Sequence, residues 1–231
     1  MEEDRSVFDL KGHLGNSATR YGEDPDQIIE IFDAANNFKG NIALIHGGYW
    51  RPEYDRAHLR PFAKALAEEG WQVHLIEYRR IPGNPDAAVS DINSALHLIP
   101  EAVIVGHSAG GHLGLITSKN ESARALIALA PVADLVAGDI AELDEGAIRD
   151  FLGVPAAQRL ELNPQSNPTY VPTVLIHGSE DIRVPVEMSR AFIAAHPGTS
   201  YIELEGTGHF ELIDPRTDAW KVLKTELKKF E

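Results

Sequence analysis

Four short stretches of this chain place chemically useful side chains at the ends of apolar runs. The first is Val103-Ile-Val-Gly-His-Ser-Ala-Gly-Gly-His112. A β-branched run ends in Gly106-His-Ser-Ala-Gly110, and Leu113-Gly-Leu-Ile116 follows, which predicts strand, sharp turn and helix with Ser108 at the apex. Such a turn leaves no room for a Cβ two residues either side of the serine, and Gly106 and Gly110 supply none. A serine hydroxyl is a weak nucleophile at neutral pH and needs a base within hydrogen-bond reach. Two further stretches offer the groups for that. His209 lies in the glycine-rich Glu205-Gly-Thr-Gly-His-Phe-Glu211. Asp181, with Glu180 as its rival, lies in Gly178-Ser-Glu-Asp-Ile-Arg-Val-Pro185, where a carboxylate could orient a histidine. The fourth stretch, His46-Gly-Gly-Tyr-Trp50, has consecutive glycines that let backbone amides approach a developing oxyanion. Its expected donors are Gly48 and Tyr49, joined by Ala109 after the serine; which of the Gly47, Gly48 and Tyr49 amides point inward is left open by the sequence. Read alone, each stretch is an ordinary turn. Together they describe acyl transfer.

These residues must be held by something. Asp26–Asp33 suggests an early edge strand, and Asn41–Ile45 a buried one. Leu59, Phe62, Ala63, Leu66 and Ala67 recur at helical spacing within Tyr54–Glu69, with a helix start or break expected near Arg60 because of Pro61. Further strands are expected at Trp71–Ile76, Ala123–Ala130, Thr173–Ile176 and Thr199–Leu204, and further helices at Asp86–Ile99, Val186–His196 and Trp220–Phe230. Residues 1 to about 20 read as an irregular arm. Residues 134–170, with amphipathic pieces at 140–151 and 155–162, read as a short cap-like connection over the sheet. Alternating strands and helices imply an α/β fold, a mostly parallel β-sheet flanked by helices on both faces, in one domain spanning 1–231. Polar groups at the carboxyl ends of such strands converge on one side.

Composition narrows the setting. There are 21 Lys and Arg against 35 Asp and Glu, a net charge of −14, which argues against nucleic acid and anionic membrane surfaces as partners. With no cysteine there is neither a disulfide framework nor a thiolate site. The acidic opening Met1-Glu-Glu-Asp-Arg5 has no apolar core of a signal peptide, and no apolar run approaches spanning length, so a cytoplasmic location is expected.

The chain resembles the α/β-hydrolase superfamily across nearly its whole length, through the order Ser108, Asp181, His209 and the Gly106–Gly110 turn. More narrowly it is similar to the kynurenine formamidase (arylformamidase) family. His46-Gly47-Gly48-Tyr49-Trp50 matches that family's His-Gly-Gly-x-Trp motif, Gly106–Leu113 its nucleophile segment, and Tyr21-Gly-Glu-Asp-Pro-Asp-Gln27 its Tyr-Gly-x-x-Pro-x-Gln feature. Glu77-Tyr-Arg79, followed by Ala87–Asp91, looks like the corresponding region of hormone-sensitive-lipase-like esterases. The resemblance implies Ser108 as nucleophile, Asp181 as orienter and His209 as general base, with neither metal nor organic cofactor. It implies an arylformamide substrate such as N-formyl-L-kynurenine, cleaved to kynurenine and formate, with Trp50, Tyr49, Phe151 and Phe210 as candidate aromatic walls. The alternative is a small carboxylesterase of broad range; a non-catalytic binding module of the same fold is a third reading. A small acyl compound is the expected partner, and homodimer formation is left open.

Overall fold

The computed structural model describes residues 3–231. Its frame is an eight-stranded sheet made of β1 (Ser17–Arg20), β2 (Ile28–Phe32), β3 (Gly40–Ile45), β4 (Trp71–Ile76), β5 (Ala102–His107), β6 (Ala123–Leu129), β7 (Thr173–Gly178) and β8 (Ser200–Leu204). The spatial order is β1-β2-β4-β3-β5-β6-β7-β8. β1 and β2 run antiparallel to their neighbours, while every pair from β4 to β8 is parallel.

The central parallel strands β3, β5, β6 and β7 are apolar on both sides because both faces are covered. Ile42, Leu44, Val103 and Val105 face one core, closed by α1 (Arg60–Glu68) and α7 (Asp218–Leu227). Ala43, Ile45, Ala102 and Ile104 face the other, closed by α2 (Pro85–Leu96), α3 (Ala109–Thr117) and α6 (Val186–Ala195). This two-residue alternation is the pleat read directly from the sequence.

Strand order reverses beside β3. After β3 the chain passes through α1 to β4 on one side; after β4 it passes through α2 to β5 on the other. The carboxyl ends of β3 and β5 therefore lie side by side at a topological switch point, where the flanking loops part and leave a crevice. His46–Trp50 follows β3 and Ser108 follows β5, so the reversal brings these two stretches together.

Several boundaries differ from the sequence expectation. Residues 1 to about 20, expected to be irregular, contain a 3₁₀ turn at Ser6–Asp9 and the strand β1; Met1 and Glu2 lie outside the described residues. β1 is exposed along its whole length, so it carries no alternation to read, and it makes β2 second from the edge. The helix expected from Tyr54 begins as a 3₁₀ turn, Arg56–Leu59, and becomes α-helical at Arg60, with Pro61 in its first turn where a missing N–H costs nothing. The connection expected as two amphipathic pieces is α4 (Leu135–Ile140), α5 (Leu143–Leu152) and three 3₁₀ turns ending at Ser166. No helix among the described residues is long and apolar enough to cross a membrane.

Candidate active site

Ser108 sits at φ 57° and ψ −121°, a backbone conformation that costs a non-glycine residue on the order of 1–3 kcal/mol. Its surroundings impose it. The Ser108 amide donates to Leu129 O at 2.8 Å, and its carbonyl accepts from the His112 amide at 3.1 Å, the first turn of α3. A Cβ at Gly110 would stand 2.2 Å from Ile45 O and 2.5 Å from His46 O, and one at Gly106 would stand 2.3 Å from Gly110 O. Side chains at either place would push α3 away from β3 and β5, so the two glycines are what permit the turn.

The loop after β3 comes equally close. A Cβ on Gly47 would lie 2.9 Å from the Ser108 Cβ. Gly48, Tyr49 and Trp50 then take three successive positive φ values, 111°, 52° and 56°. Two of these residues carry side chains, so the loop holds strain of the kind concentrated at functional sites. Among the described residues, the amides of Gly48, Tyr49 and Ala109 donate to no protein acceptor. Gly48, Tyr49 and Ser108 line one cavity of about 370 Å³, the size of a small-molecule site. Ala109 opens α3, whose N-terminal amides and dipole favour negative charge at that end.

His209 is the second polar group in the cavity wall. Its Nδ1–H donates to Asp181 Oδ2 at 2.6 Å, which leaves Nε2 as the basic nitrogen. Asp181 is held from the opposite side: its Oδ1 accepts the amides of Arg183 at 2.7 Å and Val184 at 2.9 Å. His177 Nε2 lies 3.2 Å from Asp181 Oδ2. Burial works against ionisation of Asp181, but the hydrogen bonds from His177 and His209 outweigh it and hold the carboxyl well below the usual carboxylate range. Glu180 accepts no hydrogen bond from His209 and lines a separate, smaller hollow of about 120 Å³. Ser108 and His209 share the cavity without a hydrogen bond between them, an arrangement common before substrate draws the two together.

Three histidines at strand ends act as struts. His107 donates through Nε2 to the His209 carbonyl at 3.1 Å, with the rings 4.5 Å apart, and so fixes the height of the His209 loop above β5. His46 stacks on Tyr78 at 4.5 Å, and Tyr78 Oη donates to His46 O at 3.1 Å. His177 bonds Ser189 Oγ at 2.8 Å and Val184 O at 3.0 Å, which ties the Asp181 loop to α6.

Two expected cavity walls lie elsewhere. Trp50 is 2% exposed and stacks on Phe151 at 4.6 Å, with His112 edge-on at 5.1 Å. Phe151 is 4% exposed, and neither ring reaches the cavity. The left-handed turn at Trp50 directs its ring inward, under the cap, where His112 Nε2 also donates to Leu162 O at 2.9 Å. Trp50 and His112 thus clasp residues 143–162 to the sheet. Tyr49 and Phe210 do line the cavity. So do residues that no local pattern marked: Arg5 and Phe8 from the arm, Tyr54 and His58 before α1, and Arg51, Asp144 and Arg183. Arg51 pairs with Asp144 at 2.7 Å and Arg183 with Glu3 at 2.7 Å, both beside Tyr49 at the rim. Only the tertiary fold assembles these. The Tyr21–Gln27 stretch is structural too. Tyr21 Oη donates to Glu77 O at 2.5 Å, and Gln27 Nε2 donates to Asp91 Oδ1 at 2.8 Å, beside the Arg79–Asp91 pair.

The buried histidines predict an acid response. Burial lowers His112 to about 4 and, helped by the nearby Arg80 cation, His46 to about 3. Unfolded, each would protonate near 6.5, so between about pH 6.5 and 4 the unfolded chain binds more protons and stability falls as pH falls. For His112 the full effect is about 3 kcal/mol, since one pKa unit is ~1.4 kcal/mol. Thermal unfolding midpoints should drop between pH 7 and 5, and His112→Gln should flatten that slope. An unchanged slope in the variant would contradict the assignment of His112 as a buried neutral group.

Known proteins similar to this chain are esterases or share its fold. A model of the BD-FAE family matches residues 32–195, from the end of β2 to the end of α6. Esterase LipC of Mycobacterium tuberculosis is 25% identical over an alignment 239 positions long, gaps included, that covers 84% of this chain; the chain spans 59% of that protein's length. Esterase B of Lactobacillus rhamnosis has the same fold, with a TM-score of 0.76 at 19% identity over 95% of this chain and 87% of that one. Esterase 2 of Thermogutta terrifontis gives a TM-score of 0.73 at 22% identity, over 92% of each chain. The architecture is the α/β-hydrolase fold.

Proposed function

Since this chain belongs to the BD-FAE family, we propose that it is a serine hydrolase of carboxylic esters, with Ser108 as nucleophile, His209 as base and Asp181 as orienter. The observation that carries the reading is convergence. A strained serine, a histidine whose Nδ1–H is engaged by a buried carboxylate, and amides with no protein acceptor border one cavity.

In this reading Ser108 Oγ attacks the ester carbonyl as His209 Nε2 takes its proton. The imidazolium that forms is stabilised by Asp181, which stays ionised. Charge on the carbonyl oxygen falls to the amides of Ala109 and of Gly48 or Tyr49. Removing one such donor typically costs about 3 kcal/mol of transition-state stabilisation. His209 then gives its proton to the leaving alcohol, and water repeats the attack on the acyl-serine.

An ester fits better than an arylformamide. Tyr21 and Trp50, two of the residues that suggested the formamide, serve here to tie the fold together and do not line the cavity that holds Ser108 and His209. Support for esters comes from the relatives: LipC is an esterase, and the Thermogutta enzyme has been seen with propionate, with butyrate, and phosphonylated by sarin. Purified protein should turn over p-nitrophenyl acetate and butyrate faster than N-formyl-L-kynurenine. The opposite ranking would restore the formamide as substrate, and inactivity on all three would refute the hydrolase reading.

A further inference from the structure

The arm before β1 does more than cover a face of the sheet. Val7 is 4% exposed and anchored in the core beside α1 and α7, yet Phe8, the next residue, is 42% exposed at the cavity rim. The Phe8 ring meets Phe210 edge-on at 4.8 Å, and the Arg5 guanidinium lies over both rings at 5.4 and 5.6 Å. Glu3, whose side chain is 7% exposed, pins the arm through two bonds to Arg183, at 2.7 and 2.9 Å. Arg216 adds a bond to Ser6 Oγ at 3.0 Å.

The position of this wall relative to His209 gives it a role. A general acid must touch the atom it protonates, so the leaving group of an ester lies against His209 Nε2. Phe210 follows His209 directly, with its ring 5.1 Å from the imidazole, and Phe8 continues the aromatic surface outward. His58, from the turn before α1, flanks the same wall, with its ring 6.3 Å from that of Phe8.

We propose that the arm forms the leaving-group subsite, with Phe8 and Phe210 as a ring-lined wall that selects esters of aromatic alcohols over those of small alkyl alcohols. The assignment rests on the serine-hydrolase reading above. Phe8 contacts the leaving group, and Glu3 acts as a positioning residue that holds Phe8 in place.

The test compares kcat/KM for 1-naphthyl acetate with that for ethyl acetate, two esters with the same acyl group. The naphthyl-to-ethyl ratio should fall about fivefold in Phe8→Ala, the scale of one lost aromatic contact. It should fall in the same direction in Glu3→Gln, which leaves every ring in the chain but frees the arm, and Phe8→Tyr should restore it. Wild-type turnover of ethyl acetate with an unchanged ratio in both Phe8→Ala and Glu3→Gln would overturn the role of the arm while leaving Ser108 its function. Absence of wild-type turnover together with absence of fluorophosphonate labelling at Ser108 would overturn both.

Discussion

Ser108→Ala is expected to lower kcat/KM on short carboxylic esters by about 10⁵-fold, leaving a folded protein with a residual rate above water. The size follows from what the other groups can do alone. Without the hydroxyl, His209 has no proton to accept from a nucleophile and no acyl-enzyme forms. The amides near Gly48, Tyr49 and Ala109 still polarise a bound carbonyl, which accounts for the remainder. Stability should hold or rise. Alanine removes no hydrogen bond, because the Ser108 backbone amide and carbonyl carry the local bonding to Leu129 and His112. The unusual backbone persists because Gly110 fits nothing larger against Ile45 and His46, nor Gly106 against Gly110. Thermal unfolding alongside initial rates checks both halves: near-wild-type turnover would displace Ser108 from the reaction.

The second large effect is Asp181→Asn, for which a loss of about 10⁴-fold in kcat is expected. The carboxylate accepts Nδ1–H of His209 at 2.6 Å while the Arg183 and Val184 amides hold its other oxygen. An Asn at this place keeps its carbonyl on those two amides and turns its NH₂ towards His209. Nδ1 then becomes the acceptor, the ring proton moves to Nε2, and the base facing Ser108 is lost. The loss should be partly recovered at high pH, where hydroxide can replace the base. Asp181 also fixes a stability response of known sign. Its folded pKa lies below the ordinary carboxylate value, so its contribution is present above about pH 4 and is lost as pH falls further. This acid limb lies below the one set by the histidines and should be missing in Asp181→Asn. A kcat within tenfold of wild type would show that His209 is oriented by something else.

The central strands β3, β5, β6 and β7 were legible because they are buried on both faces along most of their length, so Ile, Val, Leu and Ala fill them. The exposed β1 has no apolar residue but Ala18, and its pairing with β2 is a tertiary fact. The stretches bearing Ser108 and Asp181 stood out because each follows such a strand, and the one bearing His209 because its glycines follow the last strand, β8; the sheet order makes those ends converge. The role of Trp50 was misread for a definable reason. An aromatic beside an oxyanion loop can turn either way, and φ 56° sends this one beneath the cap to Phe151. Arg5, Phe8 and Arg183 reach the rim through contacts across 180 residues, as between Glu3 and Arg183, and no local spacing encodes that.

The central claim is that Ser108 is a nucleophile activated by His209 and Asp181. Reaction with a fluorophosphonate followed by peptide mass mapping tests it most directly, since it requires no knowledge of the natural substrate. One adduct on Ser108 is predicted in the wild type, none in Ser108→Ala, and much slower labelling in His209→Gln. A wild-type protein that stays unlabelled, or a Ser108→Ala protein that labels as fast as wild type, would contradict it.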